Sequence, residues 1–252
     1  PTTLGHNLTM LVLALDTTTR GGSVAVARDG RVLDLLEGDA ARPHAERVPA
    51  DLVTSLDRAG ASLADVDVFA VAVGPGSFTG LRIGIAAIQG CAFAAGRPVV
   101  GVSALEALAL AAGGGASEAT ARRVGVWIDA QRHEVFSALY DVRGAGPDAA
   151  LETVEGPAVG DPAETARRWN RLLGGAWCPV TGDGAVRYRD ILADAAGAEV
   201  RVIAPPPLAA TIALVAELRA RAGGGTLPHA IRPLYVRRPD AELARDRRRV
   251  GP

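Results

Sequence analysis

Hydrophobic positions along this chain recur first with a period of two and then with a helical period, and the cycle runs twice. Met10–Leu15 is an apolar run closed by Asp16-Thr17-Thr18-Thr19, and Ser23–Ala27 alternates as a second strand after Gly21-Gly22. Asp29-Gly30 makes a hairpin turn into a third strand, Val32–Leu36. Val48, Leu52, Val53, Leu56 and Ala59 then fall at helical spacing over residues 45–59; Gly60 stops that helix and Pro49 blurs its start. Ser62-Leu63-Ala64-Asp65 has the form of a capping box for a single turn. Val68–Val73 is unbroken and valine-rich, the pattern of a strand buried on both faces. Gly74-Pro75-Gly76 ends it abruptly, and Ser77 or Thr79 caps a helix reaching to about Gly96. Pro98–Val102 is a short strand, and Ser103-Ala104-Leu105-Glu106 opens a helix to about Ala112. The order βββαβαβα predicts a mixed sheet with helices on its faces.

Gly113-Gly114-Gly115 breaks the pattern and divides an N-terminal lobe, 10–112, from a C-terminal lobe, 113–236. Strands are predicted at Val124–Asp129, Glu134–Tyr140 and, more weakly, near Leu151–Val154. Asp161-Pro162-Ala163-Glu164 starts a helix that ends near Gly174-Gly175, with Asp as cap and Pro at the first position. Cys178–Thr181 reads as a strand, Gly182-Asp183-Gly184 as a turn into a short helix, and Val202-Ile203 as a strand fragment. Leu208–Arg221 is an amphipathic helix. The second half thus echoes the first with shorter elements. Residues 1–9 lack the basic and apolar regions of a signal peptide and are set aside as a remnant or an upstream extension. Arg237–Pro252 holds six Arg against three acids with almost no apolar content, and is predicted to be a mobile basic tail.

The helix after Gly76 is unlike the others. Between Gly80 and Gly96 its only polar side chains are Arg82 and Gln89, so it has no ordinary solvent face. One side is expected on the sheet and the other against another helix or subunit. Gly80, Gly84, Ala87, Cys91 and Ala94 form a stripe of small residues suited to close approach by a neighbouring helix. With helix 45–59 beside it, two helices from each of two subunits could make a four-helix contact. Phe78, Leu81, Arg82 and Ile85 are the expected contacts. Arg82 pairs either across that interface or within the chain, with Asp51 as one candidate.

Composition narrows the picture. A formal net charge of −1 leaves no global basic field to advertise nucleic-acid binding, and all 27 basic residues are Arg. Two cysteines, Cys91 and Cys178, make neither a disulfide framework nor a metal cluster and fit a reducing, cytoplasmic setting. No membrane span is expected, since the one long apolar segment carries Arg82.

Strand, glycine turn and helix N-terminus together form a candidate anion site, as they equally form a tight turn into a core helix. Asp16, Thr17, Gly74 and Gly76 are the candidate nucleotide contacts, vestigial ones. The Asp16 carboxylate and its threonines suit a hydrated metal or a phosphate; satisfying the backbone of their own turn is the slightly favoured reading. His6, His44, His133 and His229 are scattered singly, so local spacing builds no metal site and no cofactor is predicted. There is no Gly-x-x-x-x-Gly-Lys loop, no serine nucleophile elbow and no Cys/His pair in a recognisable context.

Three segments now carry a resemblance: Leu13-Ala14-Leu15-Asp16-Thr17-Thr18, Arg42-Pro43-His44-Ala45-Glu46, and Gly74-Pro75-Gly76-Ser77-Phe78-Thr79-Gly80-Leu81-Arg82-Ile83-Gly84. With Ile128–Phe136 and Pro233–Arg237, the chain from Met10 to about Arg238 resembles the bacterial TsaB (YeaZ) family. The glycine-phenylalanine-threonine segment is long and specific; the other pieces are individually weak. The resemblance implies an α/β fold, the two-lobed actin-like ATPase and sugar-kinase superfold with two βββαβα mixed-sheet domains. It also implies a partner subunit of TsaD in making threonylcarbamoyladenosine beside the tRNA anticodon, with the ATPase TsaE joining, tRNA met only within the complex, and a homodimer when alone. TsaD carries a His-x-x-x-His pair after the same glycine turn and helix. Ser103 and Ala107 stand there in this chain, and Pro205-Pro206-Pro207 stands where catalytic relatives have a glycine-rich adenosine loop. The expectation is therefore a subunit without catalytic residues. A free-standing ATP-dependent phosphotransferase using Asp16, Gly74–Gly76 and Asp129 is the alternative, and the lack of His-x-x-x-His or His-Glu-x-x-His argues against a metalloprotease.

Overall fold

A computed structural model describes residues 9–113 and 122–237. The N-terminal meander comprises β1 (Leu11–Asp16), β2 (Ser23–Arg28) and β3 (Arg31–Glu37), followed by α1 (His44–Arg58). Next come β4 (Val68–Gly74), α2 (Phe78–Ala95), β5 (Val99–Ser103) and α3 (Ala104–Ala112). The second cycle runs β6 (Arg122–Asp129), β7 (Val135–Arg143), β8 (Ala150–Gly160), α4 (Pro162–Leu173) and β9 (Val180–Thr181). It closes with α5 (Asp183–Arg187), α6 (Arg189–Ala196), β10 (Val202–Ile203) and α7 (Leu208–Arg221).

The two sheets are built alike. The first has strand order β3-β2-β1-β4-β5, and the second, read from its meander edge, β8-β7-β6-β9-β10. In each, the meander is antiparallel and the remaining strands run parallel to the first strand of the cycle. β1, β4, β6 and β9 therefore all end at the same kind of edge, where their carboxyl ends meet helix starts.

Caps anticipated from the sequence terminate the helices. Ser77 Oγ accepts from Gly80 N at 3.2 Å, Ser103 Oγ from Glu106 N at 3.5 Å, and Asp161 Oδ1 from Glu164 N at 3.0 Å. β8 is longer than its alternation suggested, 11 residues, because its irregular pairing with β7 absorbs Gly156-Pro157 in bulges.

Packing does not follow the chain's two halves. α7, from the second half, lies on β1, β2 and β4 of the first sheet, while α3 packs on α7 and on β6 and β7. One buried cluster accordingly joins Val12, Ala70 and Val102 to Leu105, Ile212, Val126 and Ala138. Residues beyond α7 return to the first sheet as well, with Thr226 bridging Val99 and Leu234 N donating to Val73 O at 2.7 Å. The two lobes share a core through a layer of helices between their sheets.

α2 rests on β4 and touches α1. By length and composition it would suffice to cross a membrane, with mean hydropathy 1.4, yet only 33% of it is buried in the molecule. Leu81, Gly84, Ile85, Ile88 and Ala92 face inward. Phe78, Thr79, Arg82, Ala86, Gly90, Phe93 and Ala94 face outward. This corrects two expected partner contacts: Leu81 is 2% exposed and Ile85 6%, both within the lobe. Helical phase decides the matter, since the sheet claims the face that carries the branched side chains.

A second correction concerns the small-residue stripe. A Cβ on Gly80 would lie 2.2 Å from Thr17 O, and one on Gly84 2.1 Å from Thr17 Oγ1. These two glycines admit the loop after β1, not a neighbouring helix. The expectation for residues 1–8, 238–252 and the glycine run after Gly113 lies outside the described residues. Arg237, assigned from sequence to the mobile tail, is instead held by the second lobe through Ala130 O and Glu134.

Candidate functional site

Asp16 ends β1 with its side chain buried. Its Oδ1 accepts from Thr18 N at 2.8 Å and Thr18 Oγ1 at 2.6 Å, so the carboxylate closes its own turn. Burial raises its pKa from the ordinary carboxylate value, against the lowering effect of hydrogen bonds from Thr18 and Thr19 and of the Arg47 charge. Thr17 Oγ1 donates to Gly80 O at 2.8 Å, which ties the same loop to the first turn of α2.

The glycine turn after β4 is filled from the same side. A Cβ on Gly76 would stand 2.6 Å from Thr18 Cβ, and Ser77 N already donates to Thr18 O at 2.9 Å. Gly74, with φ at 108°, lets Leu81 and the carbonyl of Leu234 approach. Asp16, Thr17, Gly74 and Gly76 are thus brought together as the sequence suggested. Their donors and close approaches are directed at one another.

The second lobe repeats the arrangement. Asp129 ends β6, and its Oδ1 accepts from Gln131 N at 3.0 Å, the counterpart of the Asp16–Thr18 bond. Gly182 follows β9 at φ 109°, and a Cβ there would meet Trp127 O at 2.0 Å. Asp183 Oδ1 accepts from Asp129 N and Gly184 N, both at 2.9 Å. Burial raises the Asp183 pKa, and the negative charges of Asp129 and Asp16 add to that rise. Sequence reasoning assigned Gly182-Asp183-Gly184 to a plain turn. Its link to Asp129 joins residues 54 positions apart and left no local signal.

Arg47, on α1, fixes the far side of the Asp16 loop. It is 2% exposed, bonds Gly21 O and Asp51, and donates to His44 Nδ1 at 2.8 Å. A Cβ on Gly38 would fall 1.9 Å from the guanidinium, which would then have to shift. Asp51 is therefore taken, and Arg82 does not pair with it. The Arg82 guanidinium lies 4.1 Å from the Phe78 ring centroid, and Nε donates to Tyr235 OH at 3.3 Å. Phe78 and Tyr235 have ring centroids 5.5 Å apart.

Ser103, Ala107 and the start of α7 are put to structural use. Ser103 caps α3 and Ala107 is fully buried. The N-terminus of α7, just after Pro205-Pro206-Pro207, is occupied by Ser23, whose Oγ accepts from Ala209 N at 3.0 Å. Among the described residues no group of three or more His, Cys, Asp or Glu is arranged to hold a metal ion.

Two sheets of matching order, each ending in an aspartate and a glycine turn and joined through shared helices, define a two-lobed α/β protein with two mixed-sheet domains. A family model described as TsaD, tRNA N6-adenosine threonylcarbamoyltransferase, matches residues 38–165. The Escherichia coli tRNA threonylcarbamoyladenosine biosynthesis protein TsaB is 36% identical over 184 residues, 72% of this chain and 75% of that protein. Its Haemophilus influenzae namesake is 41% identical over 131 residues, 52% of this chain and 53% of that protein. The solved structure of YeaZ from Pseudomonas aeruginosa superimposes with a TM-score of 0.71 at 32% identity, covering 90% of this chain and 99% of that one. The chain belongs to the TsaB (YeaZ) family.

Proposed function

We propose that this chain is a non-catalytic subunit in the synthesis of tRNA threonylcarbamoyladenosine, docking on the TsaD enzyme through the outward face of α2 with α1 beside it. One observation carries the reading. α2 is the most apolar helix of the fold's surface layer, yet it turns Phe78, Ala86, Gly90, Phe93 and Ala94 to solvent, with Phe93 82% exposed. An apolar face of that kind is stable in water when another surface covers it. Ala86, Gly90 and Ala94, exposed at four-residue spacing, put only small side chains on that face alongside the exposed rings of Phe78 and Phe93. The same face would pair with a second copy when TsaD is absent.

Three features support a role without catalysis. Thr17 and Thr18 fill the glycine turn, Ser23 caps α7, and Ser103 and Ala107 hold the places of an imidazole pair. The role further involves the ATPase TsaE, tRNA met within the assembly, and a cytoplasmic setting. Reconstitution tests the reading directly. Modification of tRNA by TsaD and TsaE is expected to depend on adding this chain, and equal rates without it would rule the proposal out.

A further inference from the structure

Beneath α4 the second lobe buries polar atoms on a face otherwise closed by apolar packing. Trp127 on β6 and Ser137 on β7 are register partners, so their side chains stand on the same face of the sheet. Further across that face, Ser137 pairs with Ala158 of β8 and Val135 with Gly160. α4 covers it with Thr165, Ala166 and Trp169 turned inward. Trp169 lies over Gly125, where a Cβ would come within 2.6 Å of its ring, and its ring centroid is 5.6 Å from that of Trp127. Thr165, one turn earlier, brings Oγ1 to 3.6 Å from the place a Cβ on Gly160 would take.

Trp127 and Ser137 are 0% exposed and Thr165 1%. Among the described residues, Trp127 Nε1, Ser137 Oγ and Thr165 Oγ1 have no hydrogen-bond partner. The other two indoles behave differently. Trp169 Nε1 donates to Glu155 Oε1 at 3.1 Å, and Trp177 Nε1 to Asn170 Oδ1 at 2.9 Å. A buried polar atom left unmet costs free energy that folded proteins ordinarily avoid. Such atoms from β6, β7 and α4, gathered under one helix, call for a shared partner.

Their chemistry says what that partner is. An indole N–H only donates, whereas each hydroxyl both donates and accepts. A cation would face the indole N–H and find no carboxylate, thiolate or imidazole in the set. An anion would be buried without an opposite charge, since Glu155 and Arg168 beside Trp169 neutralise each other at 2.8 Å. Ala158, Gly160 and Ala166 are the small residues of this corner, so the fitting molecule is small, neutral and able to donate and accept. We propose that a single buried water bridges Trp127 Nε1, Ser137 Oγ and Thr165 Oγ1 and fastens α4 to the second sheet. It accepts from the indole and from one hydroxyl and donates to the other, matching the roughly three hydrogen bonds an internal water makes. The site belongs to the second lobe and is independent of the docking reading of α2.

A crystal structure of the full chain, at a resolution that shows ordered solvent, tests the assignment. One solvent peak is expected within about 3.2 Å of all three atoms. No peak, or hydroxyls bonded to each other or to backbone carbonyls instead, overturns the proposal. Denaturation of variants gives a second measurement. Thr165→Val keeps the shape but removes a hydroxyl, and should lower the folding equilibrium constant about tenfold, as should Ser137→Ala. The double variant should lose clearly less than the product of the two, because the first substitution has already cost the water its place. Thr165→Ser keeps the hydroxyl and should retain both the solvent peak and more stability than Thr165→Val. Strictly multiplicative losses in the double variant, or a loss in Thr165→Ser as large as in Thr165→Val, also overturn the shared water.

Discussion

Arg47 shows how one buried charge can organise a loop. Its guanidinium reaches Gly21 O, Asp51 and His44 Nδ1, so the His44 ring accepts at Nδ1 and donates from Nε2 to Thr19 O at 3.0 Å. That pattern requires neutral imidazole, and burial followed by the Arg47 charge lowers the His44 pKa below its ordinary value. In the unfolded chain His44 takes up a proton near pH 6.5, whereas the folded chain resists until lower pH. This stabilisation is complete above about pH 6.5 and is lost as pH falls through the folded value. Urea midpoints are expected to drop between about pH 7.5 and 5.5, and His44→Gln should remove that part of the slope. Asp183 works in the opposite sense. Its raised pKa means that stability from the protonated form is present below about pH 3.8 and fades as pH rises through the folded value. Asp183→Asn keeps an acceptor for Asp129 N and Gly184 N without the desolvated charge. Relative to the parent it should gain stability at neutral pH and show no gain in acid.

At the scale of elements, α2 has two faces with different tasks, and substitutions should sort by face. Ile85→Glu places a carboxylate in the lobe core and should cost about 3 kcal/mol or more of folding stability. Ala86→Glu, one residue on, faces outward and should leave the unfolding midpoint within the range of a surface change while weakening association. The inward glycines give a third check. Gly84→Ala forces a methyl against Thr17 Oγ1 and should destabilise by about 1–3 kcal/mol. Pairing it with Thr17→Ala removes the obstructing hydroxyl, so the two substitutions should be strongly non-additive in denaturation. Additive losses would mean that Gly84 answers to some contact other than Thr17.

For the whole molecule, the notable feature is how closely the lobes are joined. α3 and α7 fill the layer between the sheets, the 222–237 segment runs back along β5 and β4, and Arg237 closes the edge. Glu217 of α7 accepts from Gly30 N at 2.9 Å and pairs with Arg221, fixing that helix beneath the β2–β3 hairpin. A hinged, freely opening cleft is not what these contacts describe. Hydrogen exchange is expected to show the α7 and β1 amides protected together as one unit, with protection lost only on global unfolding. Separate exchange classes for the two sheets would contradict a shared core.

Local regularities carried far in this chain. Period-two runs, helical spacing and Ser77, Ser103 and Asp161 as caps were legible residue by residue, because backbone propensity and capping act within a few positions. The doubled element order was legible for the same reason, and so was the apolar excess of α2. What folding alone settled is which partner each residue met. Leu81 and Ile85 turned inward because β4 takes the face that presents them, and Gly80 and Gly84 yielded to Thr17, more than 60 positions earlier. Asp183 met Asp129, Ser23 capped α7 186 residues away, and Arg237 left the expected tail for a hairpin 107 residues back. Such contacts depend on how strands order themselves in two sheets, a choice made by the burial of the whole chain and carried by no single stretch of it.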